Sequence, residues 1–259
     1  MAQTAPVRGG DVDYDRTGGG YAALRRPDPR IAALIWRALG DSRRVINVGA
    51  GAGSYEPTDR LVVPVEPSAT MRGQRPRGLA PAVRAWAEAL PFDDGAFDAA
   101  MAILTVHQWA DKAAGLREVR RVTRGPIVVM CFDPDEFKRY WLIDYVPELD
   151  EADRRRSGTI AEMKALLAPI SSTVEVIEVP IAIDCTDGFT EAYYARPERL
   201  LEASVRGAQS VWGFVPPGTE ERFVARLSAD LASGAWDAKY GAWRTRPEFV
   251  GALRLVVAR

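Results

Sequence analysis

One short stretch constrains this chain more than any other. Residues 44–48 run Arg-Val-Ile-Asn-Val, a β-branched apolar strand pattern, and Gly49-Ala50-Gly51-Ala52-Gly53 follows without a break. Glycines in a strand-to-helix turn permit positive φ and let a ligand approach the main chain closely. The stretch therefore predicts a ligand-cradling loop between a strand and a helix, with a purely structural tight turn as the plainer alternative. A dinucleotide fingerprint requires Gly-x-Gly-x-x-Gly, with a pyrophosphate at the helix N-terminus. Counted from Gly49, its third glycine position holds Ser54. The compressed pattern suits a ligand without a pyrophosphate.

The flanking pattern is that of an α/β chain. Strands are expected at 61–66, more weakly at 82–86, at 97–104, 127–132 and 174–179, and finally at 253–257. The near-continuous apolarity of 97–104 predicts a strand buried on both faces. Ile31, Leu34, Ile35, Ala38 and Leu39 mark a helix opened by Pro27-Asp28-Pro29 and stopped by Gly40, and another helix starts near Asp111. Helical stretches are expected at 134–146 and 158–168, then an aromatic-rich one over 187–235. Strands separated by helix-length segments imply right-handed βαβ units and a mostly parallel, doubly wound sheet.

Composition excludes several classes. With 259 residues, 47% of them hydrophobic and 27% charged, the chain can bury one sizeable core. Its net charge of -1 leaves no global basic field for nucleic acid or anionic lipid. Cys131 and Cys185 are too few for a disulfide framework and read as reduced thiols in a cytoplasm. The polar start lacks the apolar region of a signal peptide, and no run approaches the ~18 apolar residues of a membrane span. His107 is the one histidine, which excludes a His-rich metal site. The expected partner is a small molecule, with no nucleic acid, membrane or metal.

Glu66 closes the second strand, 17 residues after Gly49, where a carboxylate can accept both hydroxyls of a ribose. Ala87-Glu88-Ala89-Leu90-Pro91-Phe92 forms a loop before Phe97-Asp98. These three elements, in this order, resemble those of class I S-adenosylmethionine-dependent methyltransferases of the small-molecule, type 11-like group. The resemblance spans about 20–133. It implies a Rossmann-like sheet of seven strands, the last antiparallel, with a helical cap in the C-terminal half. It also implies a single domain, 1–259, whose cofactor-binding half is about 20–133 and whose acceptor-side half is about 134–250.

S-adenosyl-L-methionine is then the implied cofactor. The matching positions are Asn47, Gly49, Ala50, Gly51, Gly53, Glu66, Pro67, Ala87, Glu88 and Leu104. Outside the match, Tyr21 beside the glycine run reads as part of a lid, and Arg25 as a fork-like contact to the cofactor carboxylate or a solvated surface charge. Two positions depart from the family pattern. Asn47 stands where an acid is usual, and Trp86 stands where an Asp often contacts the adenine.

Methyl transfer from a sulfonium is an in-line displacement, so positioning supplies much of the rate, sometimes aided by a base. His107 follows the fourth strand at the ligand-binding sheet edge and is the expected catalytic residue; a packed structural histidine is the alternative. Trp109, Trp141, Tyr194 and Trp212 are expected to line an acceptor pocket for a flat or apolar metabolite, with Tyr14 as part of a lid. The alternatives are that the C-terminal aromatics are the core of the cap and that the terminus carrying Tyr14 is disordered. Two readings compete: a nicotinamide-dependent oxidoreductase, whose fingerprint Ser54 breaks, and a non-catalytic adenosyl-binding protein, which the Asn47 and Trp86 departures keep open.

Overall fold

The computed structural model describes residues 24–259. Its central sheet holds β1 (Arg44–Val48), β2 (Leu61–Val65), β3 (Ala99–Ile103), β4 (Ile127–Phe132), β5 (Val174–Glu178) and β8 (Leu253–Ala258). The order is β2-β1-β3-β4-β8-β5. The first four strands run parallel, and β8 is antiparallel to both β4 and β5. A separate antiparallel pair joins β6 (Ile181–Ala182) to β7 (Glu248–Phe249).

Helices cover both faces, which explains the unbroken apolar runs of β3 and β4. On one face lies α1 (Pro29–Leu39), whose Ile31, Ile35 and Leu39 pack with Val45, Met101 and Val128. Asp28 caps its start and Gly40, at φ +60, its end. After α2 (Ala69–Gly73), α3 (Lys112–Val122) covers the opposite face, where Leu116, Val119 and Val122 meet Ile46, Ala100 and Val129.

Two expectations fail in this half. The sheet among the described residues has six strands, not seven, because 82–86 contributes one bridge only, Val65 to Val83. Val83 donates to the Pro64 carbonyl and accepts from the Glu66 N–H, but Pro81 precedes it and the chain doubles back between Trp86 and Ala89. The glycine loop is also not followed by a helix. Residues 54–60 stay irregular, with Tyr55 at φ +66 and Pro57 close behind, and reach β2 directly.

Beyond β4 the chain forms α4 (Pro134–Phe137), α5 (Glu148–Ser157), α6 (Ile160–Leu167), α7 (Ala203–Gly207), α8 (Thr219–Ser233) and α9 (Ala235–Tyr240), interleaved with 3-10 turns. The stretch expected as one helix over 134–146 breaks into α4 and a 3-10 turn, Trp141–Asp144. An aromatic cluster holds this half together: Trp141 meets the Trp236 ring edge-on at 5.3 Å, and Trp243 meets Phe249 at 4.9 Å. Cys131 and Cys185 are free thiols, both pushed up to about 12 by burial. No helix among the described residues is long and apolar enough to cross a membrane.

Asp28 ties α1 to the C-terminal half. It is 1% exposed and accepts from the Arg30 N–H at 2.9 Å, from Arg30 Nη2 at 2.6 Å and from the Thr186 N–H at 3.2 Å. Burial pushes its carboxyl up, but the Arg30 and Thr186 hydrogen bonds together outweigh this and hold it at about 2. Asp28→Ala should cost roughly 2–4 kcal/mol in urea denaturation at pH 7, from a lost cap and lost charged hydrogen bonds. The folded value lies below the unfolded one, so this contribution is present above about pH 4. The gap between wild type and variant should close as pH falls towards 2.

Candidate functional site

Two adjoining cavities open at the carboxyl edge of the parallel strands. The first, about 620 Å3 with its mouth, lies over the glycine loop and is bordered by Asn47, Glu66, Tyr55 and Leu104. At its base the Gly49 and Ala50 N–H groups both donate to the Val65 carbonyl at 2.9 Å, which bends the chain away from the end of β1. The loop glycines serve different ends. A Cβ on Gly49 would lie 2.0 Å from Thr105 Oγ1, and one on Gly53 2.4 Å from Leu79. Both therefore make room for protein. A Cβ on Gly51, at φ +51, would meet only the end of Met71 at 3.3 Å. Gly51 thus leaves open the cradle that a ligand can enter.

Glu66 is 7% exposed at the end of β2. One carboxylate oxygen accepts from the Gly51 N–H and the other from the Ser68 N–H, each at 2.8 Å. Burial pushes this carboxyl above the ordinary range, and the two N–H groups pull against that. Asn47 forms part of the cleft floor; its Nδ2 donates to Glu56 at 2.9 Å, while its Oδ1 is buried with no partner among the described residues. Tyr55 reaches across the fold and donates to Asp187 at 2.8 Å. Arg25 lines the cleft, with its Nε on the same Asp187 at 2.6 Å.

The second cavity, about 660 Å3 with its mouth, lies beyond Leu104. Leu104 takes a left-handed φ of +53, an unusual conformation for this residue that places it on the border of both cavities. Arg25 and Gln108 are shared as well, so the cavities adjoin. His107, in the 3-10 turn Val106–Gln108, borders the second one, and its Nε2 lies 3.3 Å from Gln108 Nε2. Phe132, Phe137 and Phe189 make the apolar wall, with the Phe132 and Phe189 rings 5.8 Å apart. Asp153, Arg156 and Ser157 face in from one side of α5. Ser157 Oγ donates to Asp153 Oδ1 at 2.9 Å, and Oδ2 is buried without a partner among the described residues. Burial pushes the Asp153 carboxyl up.

The glycine loop, Glu66, Asn47, Arg25 and Leu104 thus converge on one cleft, and His107 borders the adjoining cavity. Other expected site residues lie elsewhere. Ala87 packs with Trp109 over Gly115, and the Glu88 carboxylate accepts from the Asp111 N–H at 3.1 Å, so none of the three lines either cavity. Pro67 turns its carbonyl to Arg72. Trp141, Tyr194 and Trp212 are core, not pocket wall. The Trp141 indole donates to the Tyr194 carbonyl at 2.9 Å, Tyr194 donates to the Arg246 carbonyl, and Trp212 packs on Phe223. Tyr14 and Tyr21 lie outside the described residues. No cluster of metal-ligating side chains occurs among the described residues. Sequence reasoning missed Glu56, Asp153, Asp187 and Glu191; for Glu56 the signal was an acid within a few residues of the glycines.

Comparison with known proteins decides the family. The model of the methyltransferase domain matches residues 46–130. A putative methyltransferase from an antibiotic biosynthesis pathway of Anabaena variabilis ATCC 29413 superposes with a TM-score of 0.84 at 32% identity, covering 91% of this chain and 99% of that one. This chain is a class I S-adenosylmethionine-dependent methyltransferase. The fold is shared by a SAM-dependent methyltransferase, possible histamine N-methyltransferase, of Thermotoga maritima (TM-score 0.54, 14% identity, 95% of this chain and 96% of that one). Geranyl diphosphate C-methyltransferase from Streptomyces coelicolor A3(2), solved with S-adenosyl-L-homocysteine, shares it too (TM-score 0.50, 15% identity, 88% and 77%). No curated protein matches the sequence. The nicotinamide-dependent and non-catalytic readings give way to this membership, and S-adenosylmethionine is the cofactor. The cleft suits it: Gly51 leaves the cradle clear, and the orphaned Asn47 Oδ1 waits for a donor.

Glu191 gives the methyltransferase a second titration. It is fully buried beside the second cavity, and both its oxygens accept from the Ala252 N–H, at 2.9 and 3.0 Å. Burial pushes its carboxyl from 4.5 up to about 8. Between those values the folded chain holds a proton that the unfolded chain releases, so stability falls as pH rises through this window and levels off above it. Melting temperature should drop between pH 5 and pH 8 in the wild type, and Glu191→Gln should flatten that slope. An unchanged slope would clear Glu191 of the effect.

Proposed function

We propose that this methyltransferase transfers the methyl group of S-adenosylmethionine to an O, N or C atom of a small, apolar or aromatic metabolite held in the second cavity. The observation that carries this reading is the border shared by the two cavities: Leu104, Gln108 and Arg25 belong to both, so their contents meet there. The cofactor supplies a methyl group on a sulfonium, ready for in-line displacement. In this reading residues about 20–133 hold the cofactor and about 134–250 hold the acceptor, which suits where the two sets of lining residues come from. The antibiotic-pathway relative favours a place in secondary metabolism. The near-neutral charge favours a small molecule over nucleic acid, and the two free thiols favour a cytoplasmic setting.

The residues divide the work. Glu66 accepts from the ribose hydroxyls while its backbone partners keep the carboxylate in place. Phe132, Phe137 and Phe189 pack the acceptor and exclude water. His107 orients the acceptor or takes its proton, and Asp153 Oδ2 is a second buried group able to receive a hydrogen bond from it.

Glu66→Ala should weaken S-adenosylhomocysteine binding by roughly 1.5–3 kcal/mol in titration calorimetry, the scale of a lost charged hydrogen bond. Unchanged affinity would remove the ribose assignment. Gly51→Val, which closes the cradle at a left-handed φ, should abolish binding. For His107→Ala the expectation is a 10²–10⁴-fold loss of turnover, measured with radiolabelled cofactor on a panel of phenols and aromatic amines, with cofactor affinity near normal. Full activity per folded molecule would move proton handling to Asp153 or leave positioning alone.

A further inference from the structure

The floor of the first cavity carries an amide held by charged groups behind it. Asn47 is 1% exposed, and its Nδ2 donates to Glu56 Oε1 at 2.9 Å. Glu56 is itself buried and grips Arg75 through two bonds, Nη1 to Oε1 at 3.1 Å and Nη2 to Oε2 at 2.8 Å. Arg75 is anchored in turn, donating from Nε and Nη2 to the Ala80 carbonyl at 3.0 and 2.9 Å. An ionised carboxylate in this clamp accepts hydrogen bonds and donates none. Asn47 must therefore turn its NH2 towards Glu56, and its Oδ1 away. That oxygen is buried, has no partner among the described residues, and belongs to a residue lining the cofactor cleft. A buried acceptor without a donor is costly, so a ligand that brings a donor gains by pairing with it.

The strand order says which part of the cofactor is near. β1 lies between β2, which ends at Glu66, and β3, which leads to Leu104 on the border with the second cavity. With the ribose at Glu66 and the sulfonium at that border, the methionine tail is the part that lies over β1, and its ammonium is the donor it carries. We propose that Glu56, clamped by Arg75, is a positioning residue that locks the Asn47 amide so that Oδ1 accepts from the α-ammonium of the cofactor. This rests on the first cavity being the cofactor site. The acid usual at position 47 is thereby replaced by a buried amide of the cleft lining and an acid one layer deeper. The arrangement confers selectivity for ligands with an intact amino-acid tail, because a flipped amide would present two donors to a cation.

Binding of two ligands separates this role from a general one. S-adenosylhomocysteine carries the ammonium, whereas 5'-methylthioadenosine keeps adenine, ribose and sulfur and lacks the tail. Glu56→Gln lets the facing amides pair in either sense, so S-adenosylhomocysteine affinity should fall about tenfold while 5'-methylthioadenosine affinity stays within about twofold. The swap Asn47→Asp with Glu56→Gln restores an acceptor towards the cleft and should rescue S-adenosylhomocysteine binding. Asn47→Ala leaves the Glu56–Arg75 pair whole and should reproduce the selective loss, which keeps the test open if Glu56→Gln fails to fold by circular dichroism. Equal losses for both ligands, or no loss for S-adenosylhomocysteine in Asn47→Ala, would overturn the proposal. If the wild type binds neither ligand, the cofactor-site reading falls first.

Discussion

The position of β8 governs the rest of the molecule. The last strand enters between β4 and β5, antiparallel to both, and its side chains are all buried. Phe132 at the end of β4 pairs with Leu253 at the start of β8, and Glu178 at the end of β5 pairs with Arg254. The segment from 179 to 252 therefore leaves and re-enters the sheet at one edge. That edge is where the glycine loop and Leu104 also lie. A chain threaded this way brings its C-terminal segments to the edge that carries the glycine loop, where Phe137, Asp153 and Phe189 join Leu104 and His107 around the second cavity.

Buried charges then join the two halves at chosen points. Asp187, 1% exposed, receives both Arg25 and Tyr55, so the loop after the glycines is tied to the C-terminal segment. Asp28 does the same for α1 through Thr186. Glu191 holds the Ala252 N–H as the chain enters β8, and a Cβ on Gly251 would lie 2.2 Å from its carboxylate. Buried polar groups persist only where hydrogen bonds replace water: Asp187 and Asp28 have charged partners, and Glu191, kept protonated by burial up to about pH 8, has the Ala252 N–H. Tyr55 illustrates the effect on the cleft. With no helix after the glycines to set its direction, the left-handed Tyr55 and its bond to Asp187 set the course of the loop.

Much of the half that carries the glycine loop was legible in the sequence because its signals are local. Strand β1, the loop glycines and the acid closing β2 are adjacent in sequence, and the α1 and α3 caps, Asp28 and Asp111, are read from neighbouring residues. The chain's own periodicity thus indicated a parallel sheet with intervening helices, while the resemblance pointed to Asn47, Gly51 and Glu66, which the fold brings to one cleft. Tertiary structure decided what depends on distant partners. Whether 82–86 paired over its length or at Val83 alone depended on how the chain turned after Trp86. Whether Trp141, Tyr194 and Trp212 faced a ligand or one another depended on which rings met, since a large aromatic surface is satisfied equally by core or pocket. The clamp of Glu56 by Arg75, and the approach of Asp153 and Glu191 to one cavity, join residues whose spacing carries no pattern; only the folded chain brings these side chains together.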